Sequence, residues 1–214
     1  MSRRYRFLAV LLSGAVCVTD AVAIGPLSPY KALDLPKSIH PTLTVAPVQA
    51  ITAGSLSITL ESTPLDVVKK EFGGKIRGAG DAGDAVSWLC YAGKDSDQRA
   101  LIYWFVSNDE MSGDDHEVTQ VAVQLNPGVE SPRGCAVAPP NLTGISFGVP
   151  SVGAGLDAVT KQLGEGKPSA RGYLGYGSEV VQTSPKDATV TQSVQYRFRH
   201  GSVTVVSVSQ VTTN

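Results

Sequence analysis

The densest reactive stretch is Asp109-Glu110-Met111-Ser112-Gly113-Asp114-Asp115-His116-Glu117. Carboxylates grouped around a glycine are the chemistry of a Ca²⁺ loop, but the spacing is not that of an EF-hand. Between two strand-like runs, the same residues read as a solvated hairpin tip that keeps an edge from pairing, or as a loop that a partner meets. Gly78-Ala79-Gly80-Asp81-Ala82-Gly83 spells GxGxxG. A dinucleotide site needs a strand before that phrase and a helix after it, and here the order is reversed. Ser28-Pro29-Tyr30-Lys31 spells SxxK in a proline-rich segment with no expected helix to align the two side chains. His40, His116 and His200 share no ligand spacing, and nothing marks a nucleophile elbow. These residues lead to the expectation of no enzyme, no metal and no cofactor.

Cys90 and Cys135 are a different kind of candidate. A disulfide between them closes a loop of about 45 residues, worth about 4 kcal/mol on the chain-entropy model. The alternative is a pair of free thiols or metal ligands, but there is no CxxC and no neighbouring histidine at ligand spacing.

The first segment has the form of an export signal. Arg3, Arg4 and Arg6 precede an apolar run from Phe7 to Val18, and Ala21-Val22-Ala23 is a small-x-small cleavage site. Residues 1–23 are therefore expected to be removed near Ile24, leaving a periplasmic or secreted protein in which a disulfide is the default. Ser2-Arg3-Arg4-Tyr5-Arg6 also resembles a twin-arginine signal, and Cys17 is a candidate for lipidation. Taking Arg3, Arg4, Arg6 and Asp20 out of the 18 basic and 19 acidic residues leaves 15 and 18. That acidic balance argues against a nucleic-acid or anionic-membrane binder, and no second long apolar run is present to span a membrane.

What must position the side chains is legible in a phrase that occurs twice. Leu65-Asp66-Val67-Val68-Lys69-Lys70-Glu71-Phe72-Gly73 returns as Leu156-Asp157-Ala158-Val159-Thr160-Lys161-Gln162-Leu163-Gly164. Leu65, Val68 and Phe72, like Leu156, Val159 and Leu163, fall on one helical face, and glycine ends each helix. Thr63 is the expected N-cap, with Pro64 in the first helical position. Three strand-like runs follow each helix: 85–92, 100–107 and 118–125 in the first half, then 172–182, 192–200 and 203–211 in the second. The fold class is α+β. Two tandem repeats are expected, 55–126 and 144–214, each a short helix on a three- to four-stranded antiparallel sheet. A proline-rich arm or linker, 24–54, precedes them, and a connector, 127–143, separates them. Strand alternation suggests that one sheet face stays solvated.

The doubled Leu-x-x-Val-x-x-x-Leu/Phe-Gly phrase, each copy followed by a meander, resembles the β-lactamase-inhibitor-protein-like fold. A single unit resembles the SmpA/OmlA-type envelope lipoproteins, and Gly166-Lys167-Pro168 suits that pattern. The chain departs from both: the inhibitors carry a disulfide in each repeat, and repeat two here has no cysteine. The resemblance implies a protein-binding surface, with hairpin loops contacting the partner.

On the second strands, Tyr103 and Phe105, like Tyr196 and Phe198, share one face, so Trp104 and Arg197 point to the other. If the helices cover the Tyr/Phe face, Trp104 and Arg197 line the open one, and Trp and Arg are enriched at hot spots. The alternative places Trp104 under the connector or the arm. The expected partner-binding residues are Trp104, Arg197, Asp109, Glu110, Asp114 and Asp115. The expected function is an exported envelope protein that binds another envelope or secreted protein through its open sheet face and hairpins. The alternative is a structural envelope-assembly component, lipid-anchored through Cys17.

Overall fold

The computed structural model describes residues 28–36, 39, 42–80, 85–108, 115–126, 134–182 and 188–213. Two eight-residue helices, α2 (Leu65–Phe72) and α3 (Leu156–Leu163), form at the doubled phrase. Each carries an acidic residue in its first turn and lysine in its last, the sense favoured by the helix dipole. Leu65, Val68 and Phe72 are buried on α2, and Val159 and Leu163 on α3. The start of α2 differs from expectation. Pro64 is the N-cap, and Thr63 turns its hydroxyl to accept the Thr59 N–H instead of capping the helix.

Each of these helices is followed by an antiparallel meander. The first is β4 (Val86–Lys94), β5 (Ala100–Asn108) and β6 (Gln120–Leu125). The second is β9 (Tyr173–Val181), β10 (Thr189–Arg199) and β11 (Ser202–Thr213). β6 and β11 pair antiparallel, with Val121 opposite Val208 and Val123 opposite Val206. The two meanders therefore belong to one sheet rather than to a sheet under each helix. β3 (Arg77–Ala79) and the parallel β7 (Ala136–Val137) share the outer edge of β4, completing eight strands. A small second sheet joins β2 (Leu56–Ile58), β1 (Ile51–Ala53) and β8 (Ile145–Ser146).

The main core lies on one face of the large sheet. α2, α3 and the small sheet bury their apolar residues there against Leu89, Tyr91, Tyr103, Phe105, Tyr196 and Phe198. Phe72 packs on Tyr91 and Phe105 with ring centroids 6.0 and 6.3 Å apart. The two halves repeat the same details. The Tyr91 hydroxyl donates to the Gly73 carbonyl at 2.8 Å, and the Tyr176 hydroxyl donates to the Gly164 carbonyl at 2.9 Å. The Val118 N–H donates to the Thr63 carbonyl at 2.8 Å, and the Val203 N–H to the Ala154 carbonyl at 2.9 Å. Burial raises both phenols above the ordinary tyrosine range, with Glu165 adding to the rise at Tyr176. Both remain protonated donors at neutral pH, pinning the end of each helix to the first strand of its meander.

Strand alternation suggests a solvated opposite face, with cover of Trp104 by the connector or the arm as the alternative; in the first half the face is covered. In the first half a second apolar cluster forms there, containing Val86, Trp88, Cys90, Ile102, Trp104, Val106, Ala122 and Val205. Part of its cover is the proline-rich arm, which is a docked element rather than a linker. A short helix, α1 (Pro29–Leu33), buries Leu33 in the cluster, with Ala32 and Leu35 packed beside it. The arm then reaches β9. Ile39 occupies the space that a side chain at Gly175 would fill, and the Thr42 and Leu43 N–H groups both donate to the Gly177 carbonyl at 2.8 Å. Leu43 and Val48 end in the main core on the helix side, so the arm wraps around the β9 edge. In the second half the opposite face is polar, with a Ser193–Ser209 hydroxyl pair and Gln120 donating to the Ser207 hydroxyl.

Val68→Asp and Val159→Asp should each destabilise by about 3–5 kcal/mol, because each puts a carboxylate under a helix at a fully buried position. Tyr91→Phe and Tyr176→Phe should each cost about 1 kcal/mol. Urea unfolding checks both pairs, and the two members of each pair should behave alike.

Candidate functional site

The most distinctive polar concavity lies at the Ser202 end of the sheet, on the face away from α2 and α3. It is an open cleft of about 560 Å³ lined by Arg171, Tyr173, Arg197, Arg199, His200 and Asp34. Strand geometry assembles it. Arg197 and Arg199 are two residues apart on β10 and share a face. Tyr173 is directly opposite Arg197 in the β9–β10 register, and Arg171 lies two residues before it. Gly172 makes the bend between them: its φ is 83°, and a side chain there would run into the Phe198 carbonyl. The Phe198 N–H donates back to the Gly172 carbonyl at 2.7 Å.

A β-bulge sits beside Arg197. The β10–β11 register shifts between Arg197 and Phe198, leaving Thr204 as the extra residue on β11, and the Thr204 hydroxyl donates to the Arg197 carbonyl at 3.1 Å. Bulges of this kind re-aim the neighbouring side chain. The guanidinium of Arg197 lies over the Tyr173 ring, 5.6 Å from its centroid. It also pairs with the Asp34 carboxylate at 3.0 Å, and the Tyr173 hydroxyl donates to the same Asp34 oxygen at 3.1 Å. Arg197 Nε is buried and has no hydrogen-bond partner among the described residues. Asp34 is the residue after α1, held at φ 48°, a left-handed conformation that Asp tolerates better than most residues.

Three guanidinium groups thus face one resident carboxylate, leaving a local positive excess in a chain whose formal net charge is −1. The Asp34 side chain is 60% exposed. The Arg197 side chain is only 18% exposed, so solvent, and any incoming carboxylate, reaches the pair from the Asp34 side.

The structure divides the residues expected to bind a partner. Arg197 lies in the cleft. Trp104 does not lie on an open face: it is fully buried in the second cluster. Its indole N–H donates to Gln124 Oε1 at 3.2 Å, and Gln124 Nε2 donates to the Ala32 carbonyl of α1 at 2.9 Å. The docked arm thus removes Trp104 as a contact residue. Asp109, Glu110 and Asp114 fall outside the described residues, while Asp115 is exposed. The acidic hairpin leads into β6, whose Gln120 is opposite Ser209, whereas Arg197 is opposite Val205 nearer the other end of β11. At about 3.3 Å per residue, the four residues from Ser209 to Val205 separate the start of β6 from the Arg197 level by about 13 Å along the strand.

Cys90 and Cys135 are bonded, with Cα atoms 4.7 Å apart. The bond fixes the connector beside β7 at the edge of β4. Gly78 and Ala79 of the GxGxxG phrase lie on β3, and residues 81–83 are outside the described set. The SxxK segment does contain a helix, contrary to expectation: Ser28 is the N-cap of α1, and Lys31 is exposed. His200 joins the cleft, His116 is exposed in a turn, and His40 is not among the described residues. No group of three or more His, Cys, Asp or Glu placed to hold a metal occurs among the described residues. No helix among them is long and apolar enough to cross a membrane.

Sequence reasoning missed Asp34, Arg171, Tyr173, Arg199 and His200. The available signal was the alternation in Arg197-Phe198-Arg199 beside Arg171-Gly172-Tyr173. No family model, curated protein or solved structure matches the chain.

Trp104→Ala should lower stability by about 3–5 kcal/mol through loss of buried ring volume. Thermal unfolding followed by circular dichroism checks this; a contact residue on an open face would leave the melting temperature nearly unchanged.

Proposed function

We propose that the chain is an exported protein-binding module of the cell envelope, periplasmic or secreted, and that its contact surface is the polar sheet face ending in the basic cleft. The observation that carries this reading is the cleft itself. Arg171, Arg197 and Arg199 line a cleft in which Asp34 is the one carboxylate among the described residues. Arginine beside an aromatic ring is a common anchor at protein interfaces, and the Arg197–Tyr173 stack supplies that pair. On the same face of β10 and β11, half-buried Ser193 and Ser209 carry a polar surface on from the cleft.

The same proposal takes the two halves as copies of one unit. The matching tyrosine-to-glycine bonds at the helix ends and the matching backbone bonds before each helix support it. A doubled helix-and-meander unit is what the resemblance to the inhibitor-like fold implies, and inhibition of a secreted enzyme is one form that binding would take.

A second reading, a structural envelope component lipid-anchored through Cys17, is favoured by the docked arm. α1 is clamped onto the sheet through Leu33 and the Gln124–Ala32 bond, so that the chain preceding Ser28 leaves from a rigid point. Mass analysis of the exported N-terminus separates the two readings: a free Ile24 supports the binding module, and a lipid-modified Cys17 supports the anchored component.

Arg171→Glu combined with Arg199→Glu should reduce capture of the native envelope partner at least tenfold, about 1.4 kcal/mol, with an unchanged circular dichroism spectrum. Equal capture by wild type and variant would overturn the assignment of this surface.

A further inference from the structure

We propose that the basic cleft recognises carboxylates of an acidic peptide segment, and that Asp34 is an internal competitor that occupies the same position until such a segment displaces it. This rests on the binding-module reading and adds the chemical class of the ligand and a control built into the arm.

One Asp34 oxygen accepts from both the Tyr173 hydroxyl, at 3.1 Å, and the Arg197 guanidinium, at 3.0 Å. That is a formed carboxylate seat, with a charged donor and a neutral donor converging on one oxygen. The seat is larger than its occupant. Arg171 and Arg199 also line the cleft, and Arg197 retains a buried Nε without a partner. One carboxylate cannot balance three guanidinium groups, so the site has room for further acidic groups.

The chain also shows the shape of ligand that fits. The occupant is a peptide segment entering over the sheet face. Beyond Asp34 the arm continues onto β9, where the absent side chain of Gly175 admits Ile39 and the Gly177 carbonyl receives two backbone N–H groups. The arm keeps that track, and its path shows that this part of the sheet accepts an extended chain; an incoming peptide replaces only the Asp34 carboxylate. A polyanion such as nucleic acid is disfavoured by the chain's overall acidic balance. The left-handed backbone at Asp34 and the exposure of its side chain make the internal contact the easily exchanged member of the arm. Leu33, by contrast, stays anchored in its apolar cluster. Displacement therefore needs only the Asp34 turn to swing away, and α1 need not leave the sheet.

The test is fluorescence anisotropy with a labelled octaglutamate peptide and the full exported chain. The peptide should bind, and binding should weaken as salt screens the cleft. Asp34→Asn should tighten binding about fivefold, because it removes the competitor while keeping the side chain's shape. Arg171→Gln with Arg199→Gln should weaken binding at least tenfold, and since both side chains are exposed, the melting temperature should not change. Octalysine should not bind. Unchanged or weaker binding by Asp34→Asn would overturn the competitor role. Binding indifferent to the double arginine variant would overturn the site. Displacement of the peptide by inorganic phosphate at matched charge would overturn the peptide assignment in favour of a small-anion site. Peptide binding as expected together with undiminished capture of the native partner by Arg171→Glu/Arg199→Glu would overturn the assignment of this surface to the native partner and leave the carboxylate site standing. The converse result would refute this inference alone.

Discussion

Five residue pairs between β6 and β11, from Gln120 opposite Ser209 to Gln124 opposite Val205, hold two meanders together as one sheet, and the remaining architecture follows from that join. A three-stranded meander carrying one eight-residue helix is a thin structure with two edges. Joining β6 to β11 removes an edge from each half and aligns their apolar faces, so that α2, α3 and the small sheet share a single core. The valine pairs at the seam put β-branched side chains where they pack well on a pleated surface. The outer edges are handled separately. β3 and β7 cover β4, and the arm meets β9 at Gly177 and Ser178.

The sheet's second face shows how one constraint can be met in two ways. A strand face that is apolar must be covered, and one that is polar can stay wet. β4 and β5 are apolar on both faces, as their long runs of buried residues show, so the first half needs an additional layer. The arm contributes to it through α1 and Leu33, and the disulfide ties the connector alongside. From Thr191 to Phe198, β10 alternates between half-buried and buried residues, so the second half needs no apolar layer of this kind. The boundary between the two regimes passes beside Arg197, where the end of α1 delivers Asp34. The cleft arises at that boundary: the arm has finished covering apolar surface and meets charged surface.

Its electrostatics follow from the same placement. Arg197 is held firmly, by the Tyr173 ring, by backbone bonding around the bulge and by limited exposure. Asp34 sits at the end of a five-residue helix, reached by solvent. A largely buried cation thus faces a solvent-reached carboxylate. This asymmetry separates the Asp34–Arg197 contact from the Asp95–Arg99 hairpin pair. There burial pushes the Asp95 carboxyl up, but the Arg99 backbone N–H and guanidinium outweigh it and hold the group below the usual range. The Asp95 side chain is the less exposed of the two aspartates, and its hydrogen bonds lie within one turn.

Local pattern alone was enough to locate both main helices, because a stripe at i, i+3 and i+7 followed by glycine has few other structural solutions. The six meander strands were legible to within a few residues for the same reason, and the cysteine pair followed from count and expected compartment. Alternation also separated Tyr103 and Phe105 from Trp104, and Tyr196 and Phe198 from Arg197. It could not say which of those faces would meet water. That outcome depends on the arm, whose prolines read as a linker and whose docking rests on contacts more than sixty residues apart, such as Leu33 on Trp104 and Asp34 on Arg197. Alternation alone leaves Trp104 either on an open surface or under the connector or arm, and the tertiary structure buries it. The cleft was hidden for the same reason. Arg171 and Arg197 become neighbours only through strand register, and Asp34 joins them only because the arm folds back. The sequence by itself determined α2, α3 and the six meander strands, since these are set by contacts within a few residues; α1, the small sheet and the edge strands β3 and β7 form only through tertiary packing. Which surfaces remained exposed, and therefore where a site could exist, was decided by long-range packing.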